Sequence, residues 1–233
     1  AFDDTVIAEL TEALRDLENK PQVRAVMLAA SGASFSAGAD LHWMKRMACF
    51  SDADNLRDAE ALAGMLRRLD VLSKPTVAVV QGPAYGGGVG LVAACDIAIA
   101  SDVATFSLSE VKLGLIPSVI SPYVIRAIGA RAARRYFLTG ERFTAGEAHR
   151  IGLVHEVVAP DQLARTVERI MGALAEGGPR AQAEAKRIVA DVVGRPLDVP
   201  LVDETAKRIA HIRGSQEGRE GVAAFLESAS RAG

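Results

Sequence analysis

The sequence predicts an α/β core over residues 1–135 followed by a helical C-terminal region over residues 136–233. Three observations predict it. Short apolar runs alternate with helix-period segments through about the first 120 residues, and helix-period segments alone fill the rest. Two glycine-rich turns, Ser36-Ala37-Gly38-Ala39-Asp40 and Tyr85-Gly86-Gly87-Gly88-Val89-Gly90, each follow an apolar run.

Taken in order, Ile7, Leu10, Leu14 and Leu17 recur at helical spacing and predict an opening helix. Residues 23–30, bounded by Pro21 and Ser31-Gly32, read as a buried strand, and the first glycine turn follows. Leu62, Met65, Leu66 and Leu69 share one face of a helix over residues 52–72, which Lys74-Pro75 ends because the residue before a proline is driven out of the α region. Residues 76–80 read as a second buried strand running into the second turn. Small and apolar residues over 90–95 suit a tightly packed helix, and residues 97–100 and 105–108 read as further strands. Pro117, Ser118 and Ser121-Pro122 open a helix through Ile125 and Ile128. Helices alone are expected after it, over 144–151, 161–175, 179–193, 202–212 and 217–228.

At 233 residues, 49% of them hydrophobic, the chain has material for a substantial core. Its net charge of -2, with Lys and Arg scattered, offers no electrostatic footprint for nucleic acid or anionic lipid. Neither partner is expected. No run approaches the roughly 18 apolar residues of a membrane span, and no basic segment followed by an apolar stretch opens the chain, so a cytoplasmic location is expected. The two cysteines, Cys49 and Cys95, have no histidine at ligand spacing, and the four histidines His42, His149, His155 and His211 share none. No metal site or disulfide framework is expected.

The glycine cluster is the strongest chemical signal. Each glycine costs a helix about 1 kcal/mol, so close approach of the backbone is the natural reason to keep several together. If Gly87 begins the helix, its N–H is a free first-turn donor at the positive end of the helix dipole, a suitable place for developing negative charge. Tight packing of a helix on a sheet explains the glycines alone equally well. Dinucleotide and phosphate loops are disfavoured, since Leu91 stands where GxGxxG needs its last glycine and no Lys follows. A serine nucleophile is weak, because Gly32-Ala33-Ser34-Phe35-Ser36 lacks the closing glycine of GxSxG. Glu110 lies in an unusually apolar stretch from Phe106 to Pro117, where burial would raise its pKa toward the range useful for acid–base work. A helix-cap role or an ion pair with Lys112 is the competing reading.

Taken together, Phe35-Ser36-Ala37-Gly38-Ala39-Asp40-Leu41, Lys74-Pro75-Thr76-Val77-Ala78-Val79-Val80-Gln81-Gly82 leading into Gly86-Gly87-Gly88, Cys95-Asp96-Ile97, and Glu110 with Leu113-Gly114-Leu115-Ile116-Pro117 resemble the enoyl-CoA hydratase/isomerase (crotonase) superfamily in order and spacing. Leu138-Thr139-Gly140-Glu141-Arg142-Phe143-Thr144-Ala145 and Gly152-Leu153-Val154 extend the likeness into the second half. The resemblance implies a spiral of ββα turns in two sheets, C-terminal helices that build a homotrimer or homohexamer, and an acyl-CoA thioester substrate, with coenzyme A as part of the substrate and no other cofactor. Carried over by position, the amides of Ala39 and Gly87 form an oxyanion hole, Glu110 is the acid/base, Ser36 and Ala37 meet the adenine of CoA, and Gly86 and Ser118 border the substrate.

One departure stands out. Hydratases of the family carry a second glutamate where this chain has Gly90, so water held between two carboxylates is not implied here. A hydroxyl such as Ser118, Ser121 or Tyr85, the substrate's own carboxylate, or Glu110 alone remains to fill the role. Gly86-Gly87-Gly88-Val89-Gly90-Leu91 and Val119-Ile120-Ser121-Pro122-Tyr123-Val124 look most like methylglutaconyl-CoA hydratases. A double-bond isomerase is the runner-up, a CoA-ester decarboxylase third, and a non-catalytic CoA-binding or RNA-binding scaffold the reading from another class.

Overall fold

Strands and helices alternate from the start of the chain. The computed structural model describes residues 1–232. Helix α1 (Asp4–Glu18) begins on Asp3, whose carboxylate accepts from the Val6 amide, and buries Ile7 and Leu14. Strand β1 (Val26–Leu28) follows, then α2 (Leu41–Met47) and α3 (Asp52–Val71), the latter opened by a capping box between Ser51 and Asp54. Next come β2 (Thr76–Val80), β3 (Ala84–Tyr85), α4 (Gly87–Ala94), β4 (Ile97–Ser101), β5 (Thr105–Ser107) and a 3₁₀ turn over Glu110–Leu113. Helix α5 (Ser121–Thr139), kinked at Gly129, leads to β6 (Arg142–Thr144), α6 (Ala145–Arg150) and β7 (Glu156–Val158). The chain ends with α7 (Leu163–Glu176), α8 (Pro179–Val192), α9 (Val199–Gly214) and α10 (Gln216–Ala232).

Two sheets organise the core. The first is all parallel in the order β1-β2-β4-β7, with Val77 level with Ile97 and Ala100 level with Val157. A parallel sheet covered on both faces needs continuous apolar strands, and Val77, Ala78, Val80, Ala98, Ile99 and Ala100 are all buried. Asp96 locks its end by accepting from both the amide and the hydroxyl of Thr76. The second sheet runs β3-β5-β6, parallel then antiparallel. Its inner face is an aromatic column, with Phe106 5.6 Å from Phe143 and Phe143 4.2 Å from Tyr136 between ring centres. Burial, aided by a hydrogen bond to Glu147, pushes the Tyr136 hydroxyl up to about 12. This column fixes β5, the strand that delivers Glu110.

The second half is not helical throughout. Strands β6 and β7 each supply only three residues, too few to display a two-residue period, and β7 completes the first sheet beside β4. The missed β3 is shorter still, and α2 was hidden because its seven residues carry little periodicity. By internal packing the chain divides into Ala1–Met171 and a second unit from Gly172 onward. The 135/136 division expected from the change of pattern falls inside α5, and β6 and β7 beyond it join the two sheets.

Within the second unit, the Glu217 carboxylate accepts from the amides of Arg180 and Ala181 and so caps α8, whose own N-cap, Gly178, has no side chain. Arg208 joins Asp191 on α8 to Glu204 on α9. Val189, Val202, Ile209, Val222, Phe225 and Leu226 are exposed on these helices.

Gly82 is the tightest main-chain crossing in the first unit: a Cβ there would lie 2.0 Å from the Ala33 carbonyl oxygen. Gly82→Ala is expected to cost about 1–3 kcal/mol, the usual range for overpacking, read as a lowered midpoint in urea unfolding.

Candidate active site

The first turn is held from outside. Phe2 lies against it as a parallel bridge to Ala39, donating to the Gly38 carbonyl at 2.8 Å and accepting from the Asp40 amide at 2.8 Å. In such a bridge the middle residue spends neither of its own polar groups on the partner. The Ala39 N–H accordingly has no acceptor among the described residues, and Ala39 is exposed. Gly38 bends the chain with a φ of 98°, which only glycine adopts without strain. Asp40 then caps α2: hydrogen bonds from the Trp43 and His42 amides hold its carboxyl below the usual range. The aspartate of this turn is thus an architectural residue.

The second turn is built from missing side chains. Gly86 adopts φ 52° and ψ -118°, donates to the Ser107 carbonyl at 2.9 Å, and starts α4. Gly87 is the first residue of that helix, and its N–H has no acceptor among the described residues. A Cβ on Gly87 would meet the Phe2 ring at 3.7 Å, and one on Gly88 would stand 2.5 Å from the Ser36 Cβ. Ser36 in turn donates to the Pro83 carbonyl and accepts from the Tyr85 amide. Phe2 and Ser36 therefore bring the two turns side by side.

Glu110 faces the second turn. Its Oε1 lies 3.3 Å from the point a Gly86 Cβ would occupy, while its Oε2 is buried with no hydrogen-bond partner. Burial raises its pKa above the ordinary carboxyl value. Glu110 forms no ion pair with Lys112 among the described residues; the Lys112 Cε lies 3.1 Å from the position of a Gly140 Cβ. A carboxyl that is shielded, unpaired and beside two unspent amides can move a proton next to a group whose oxygen those amides hold.

Other expected positions separate. Ala37 is exposed, but Ser36 is only 6% exposed with its amide and carbonyl both engaged, so of the pair expected at the adenine only Ala37 is open to a ligand. Ser118 is exposed on the loop before α5, where no hydrogen bond joins it to Glu110. Its carbonyl accepts from the Ser121 amide and hydroxyl. His155 is structural: its Nδ1 accepts from the Ala98 amide at the edge of the sheet. Position 90 has no room for a carboxylate, because a Cβ there would lie 2.3 Å from Ile120 Cγ2. Phe2 and Ile120 carry no sequence signal of their own; each acts through a contact with a distant glycine. Among the described residues no group of three or more His, Cys, Asp or Glu could hold a metal ion, and no helix is long and apolar enough to cross a membrane.

Known proteins agree with this architecture over nearly the whole chain. The sequence model of the family described as Enoyl-CoA hydratase/isomerase matches residues 1–231. The short-chain-enoyl-CoA hydratase of Clostridium acetobutylicum is 31% identical over 97% of this chain and 86% of its own length. A crystal structure of an enoyl-CoA hydratase from Shewanella pealeana superposes with a TM-score of 0.94 at 44% identity, covering 97% of this chain and 85% of that one. A crystal structure from Legionella pneumophila, assigned to the enoyl-CoA hydratase/isomerase (crotonase) group, gives a TM-score of 0.94 at 46% identity, covering 98% of this chain and 88% of that one.

The unpartnered Glu110 oxygen has a stability consequence. Its folded-state pKa is raised, so the folded protein holds that proton more tightly than the unfolded chain does, and ionisation costs stability at pH above the folded pKa. Glu110→Gln is therefore expected to be more stable than the parent protein at pH 7 to 8. The difference should shrink as pH falls through the raised value, as followed by urea unfolding at several pH values.

Proposed function

The chain belongs to the enoyl-CoA hydratase/isomerase family, and from that premise we propose that it adds water across the double bond of an enoyl-CoA thioester, with the Ala39 and Gly87 amides holding the thioester oxygen and Glu110 as the acid/base. The observation that carries this reading is the union of two unspent main-chain donors with one bare carboxylate oxygen in turns that Phe2 and Ser36 hold together. Conjugate addition places negative charge on the carbonyl oxygen, and each oxyanion donor contributes about 3–4 kcal/mol to the transition state.

A single carboxylate suffices for the proton balance. Glu110 takes a proton from water as the water oxygen bonds to carbon 3, the double-bond electrons move toward the thioester oxygen, and Glu110 returns that proton to carbon 2. Its raised pKa suits a group that must both accept and donate. Among enoyl thioesters we favour methylglutaconyl-CoA, on the likeness of Gly86 to Leu91 and Val119 to Val124 to that subgroup. Gly86 would border the acyl group and Ala37 the adenine of CoA, and no cofactor besides the substrate's own CoA is required. A cytoplasmic homotrimer or homohexamer fits two cysteines that form no disulfide and the apolar residues exposed on α8, α9 and α10.

The packing of Ile120 on Gly90 also favours a second reading, a double-bond isomerase, because removing a proton at one carbon and returning it at another needs one carboxylate. Incubation with methylglutaconyl-CoA, crotonyl-CoA and a 3-enoyl-CoA separates the two. Loss of conjugated-thioester absorbance on the first two substrates marks hydration, and gain of it on the third marks isomerisation. Glu110→Gln is expected to lower turnover by about 10²- to 10⁴-fold while CoA-ester affinity stays within a few-fold. Retention of most activity by that variant removes Glu110 from the chemistry.

A further inference from the structure

The first turn of α4 ends as tightly as it begins. The Gly90 amide closes the turn on the Gly86 carbonyl at 3.3 Å. A Cβ at Gly90 would lie 2.3 Å from Ile120 Cγ2 and 2.8 Å from Ile120 Cβ. Ile120 is the residue before α5 and is 3% exposed. The collision is with the branched root of a side chain, which has few rotamers into which to retreat. At the other end of the turn, Glu110 Oε1 stands 3.3 Å from the Cβ position of Gly86. Four residues of helix rise about 6 Å, so carboxylate and isoleucine stand about one turn apart on the same side of α4.

We propose that Ile120 is a specificity-determining residue: its methyl groups close the acyl end of the site beyond Glu110 and restrict the substituent on the reacting carbon to a short one. The inference rests on the reading of Ala39, Gly87 and Glu110 as the reacting centre. Gly90 and Ile120 act as one unit, since glycine at 90 is what permits the isoleucine to fill this volume. Hydrocarbon there also accounts for why no acid faces Glu110 across the turn. A pocket walled by methyl groups discriminates by size, and each methylene it must exclude is worth on the order of tenfold or more.

The test compares butyryl-CoA with octanoyl-CoA in binding, and crotonyl-CoA with 2-octenoyl-CoA in turnover, for the parent protein, Ile120→Val and Ile120→Ala. Thermal melts establish that each variant is folded. The ratio of octanoyl-CoA to butyryl-CoA affinity is expected to rise about tenfold or more in Ile120→Ala and by a smaller factor in Ile120→Val. The 2-octenoyl to crotonyl ratio of kcat/KM should move in the same direction. Folded Ile120→Val and Ile120→Ala proteins with the parent ratios would overturn the proposal, and Ile120→Val alone decides it if the alanine variant does not fold. Glu110→Gln carried alongside separates the two readings. If it keeps its turnover, the reacting centre has been misassigned while the binding ratios still report on Ile120; if it loses turnover and the ratios stay fixed, only the role of Ile120 fails.

Discussion

The structure depends on the close approach of main chain around the first turn of α4. Gly86, Gly87, Gly88 and Gly90 each face a different neighbour at the place where a side chain would be: Glu110, Phe2, Ser36 and Ile120. Three of these glycines lie inside an eight-residue helix and together cost about 3 kcal/mol of helix propensity relative to alanine. Burial of Val89, Leu91 and Val92 from the same helix contributes about 1.5–3 kcal/mol each and outweighs that loss. The helix therefore forms because of the apolar side chains it buries, while its glycines let neighbouring residues approach the main chain from several directions.

Polar groups in the first unit fall into two kinds. Asp3, Asp40 and Asp96 are saturated by backbone donors and by the Thr76 hydroxyl, and they fix helix starts and a strand end. Among the described residues, the Ala39 and Gly87 amides and one oxygen of Glu110 are left without partners. Unsatisfied groups cost stability, and a fold retains several at one place only where the rest of the structure holds them there. The aromatic column of Phe106, Phe143 and Tyr136 does so for Glu110, and the Phe2 bridge does so for Ala39.

The absence of a carboxylate at position 90 is a packing property as much as a substitution. Ile120 comes from the far side of the 3₁₀ turn that begins with Glu110, so one connecting segment supplies both the carboxyl beside Gly86 and the hydrocarbon that fills the Cβ position of Gly90. The Leu115 amide donates back to the Glu110 carbonyl and so ties this segment to the residue whose carboxyl faces the second turn.

The sequence by itself determined the elements with strong periods or long apolar runs: α1, α3, β2, β4 and the C-terminal helices. It also picked out both glycine turns and Glu110, because glycine clusters and a carboxylate among apolar residues violate local preference and so announce themselves. Only the tertiary structure decided the rest. Strands β3, β6 and β7 are two or three residues long and exist because a neighbouring strand offers hydrogen bonds, which no local pattern encodes. The open Ala37 and the closed Ser36 are adjacent in sequence and differ through the bridge to Ala84 and the packing of Ser36 against Gly88. Phe2 at Ala39 and Gly87, and Ile120 at Gly90, are contacts between residues far apart along the chain. A sequence reveals which positions are unusual, but the volume that a side chain fills or forbids is a property of the neighbours that folding brings to it.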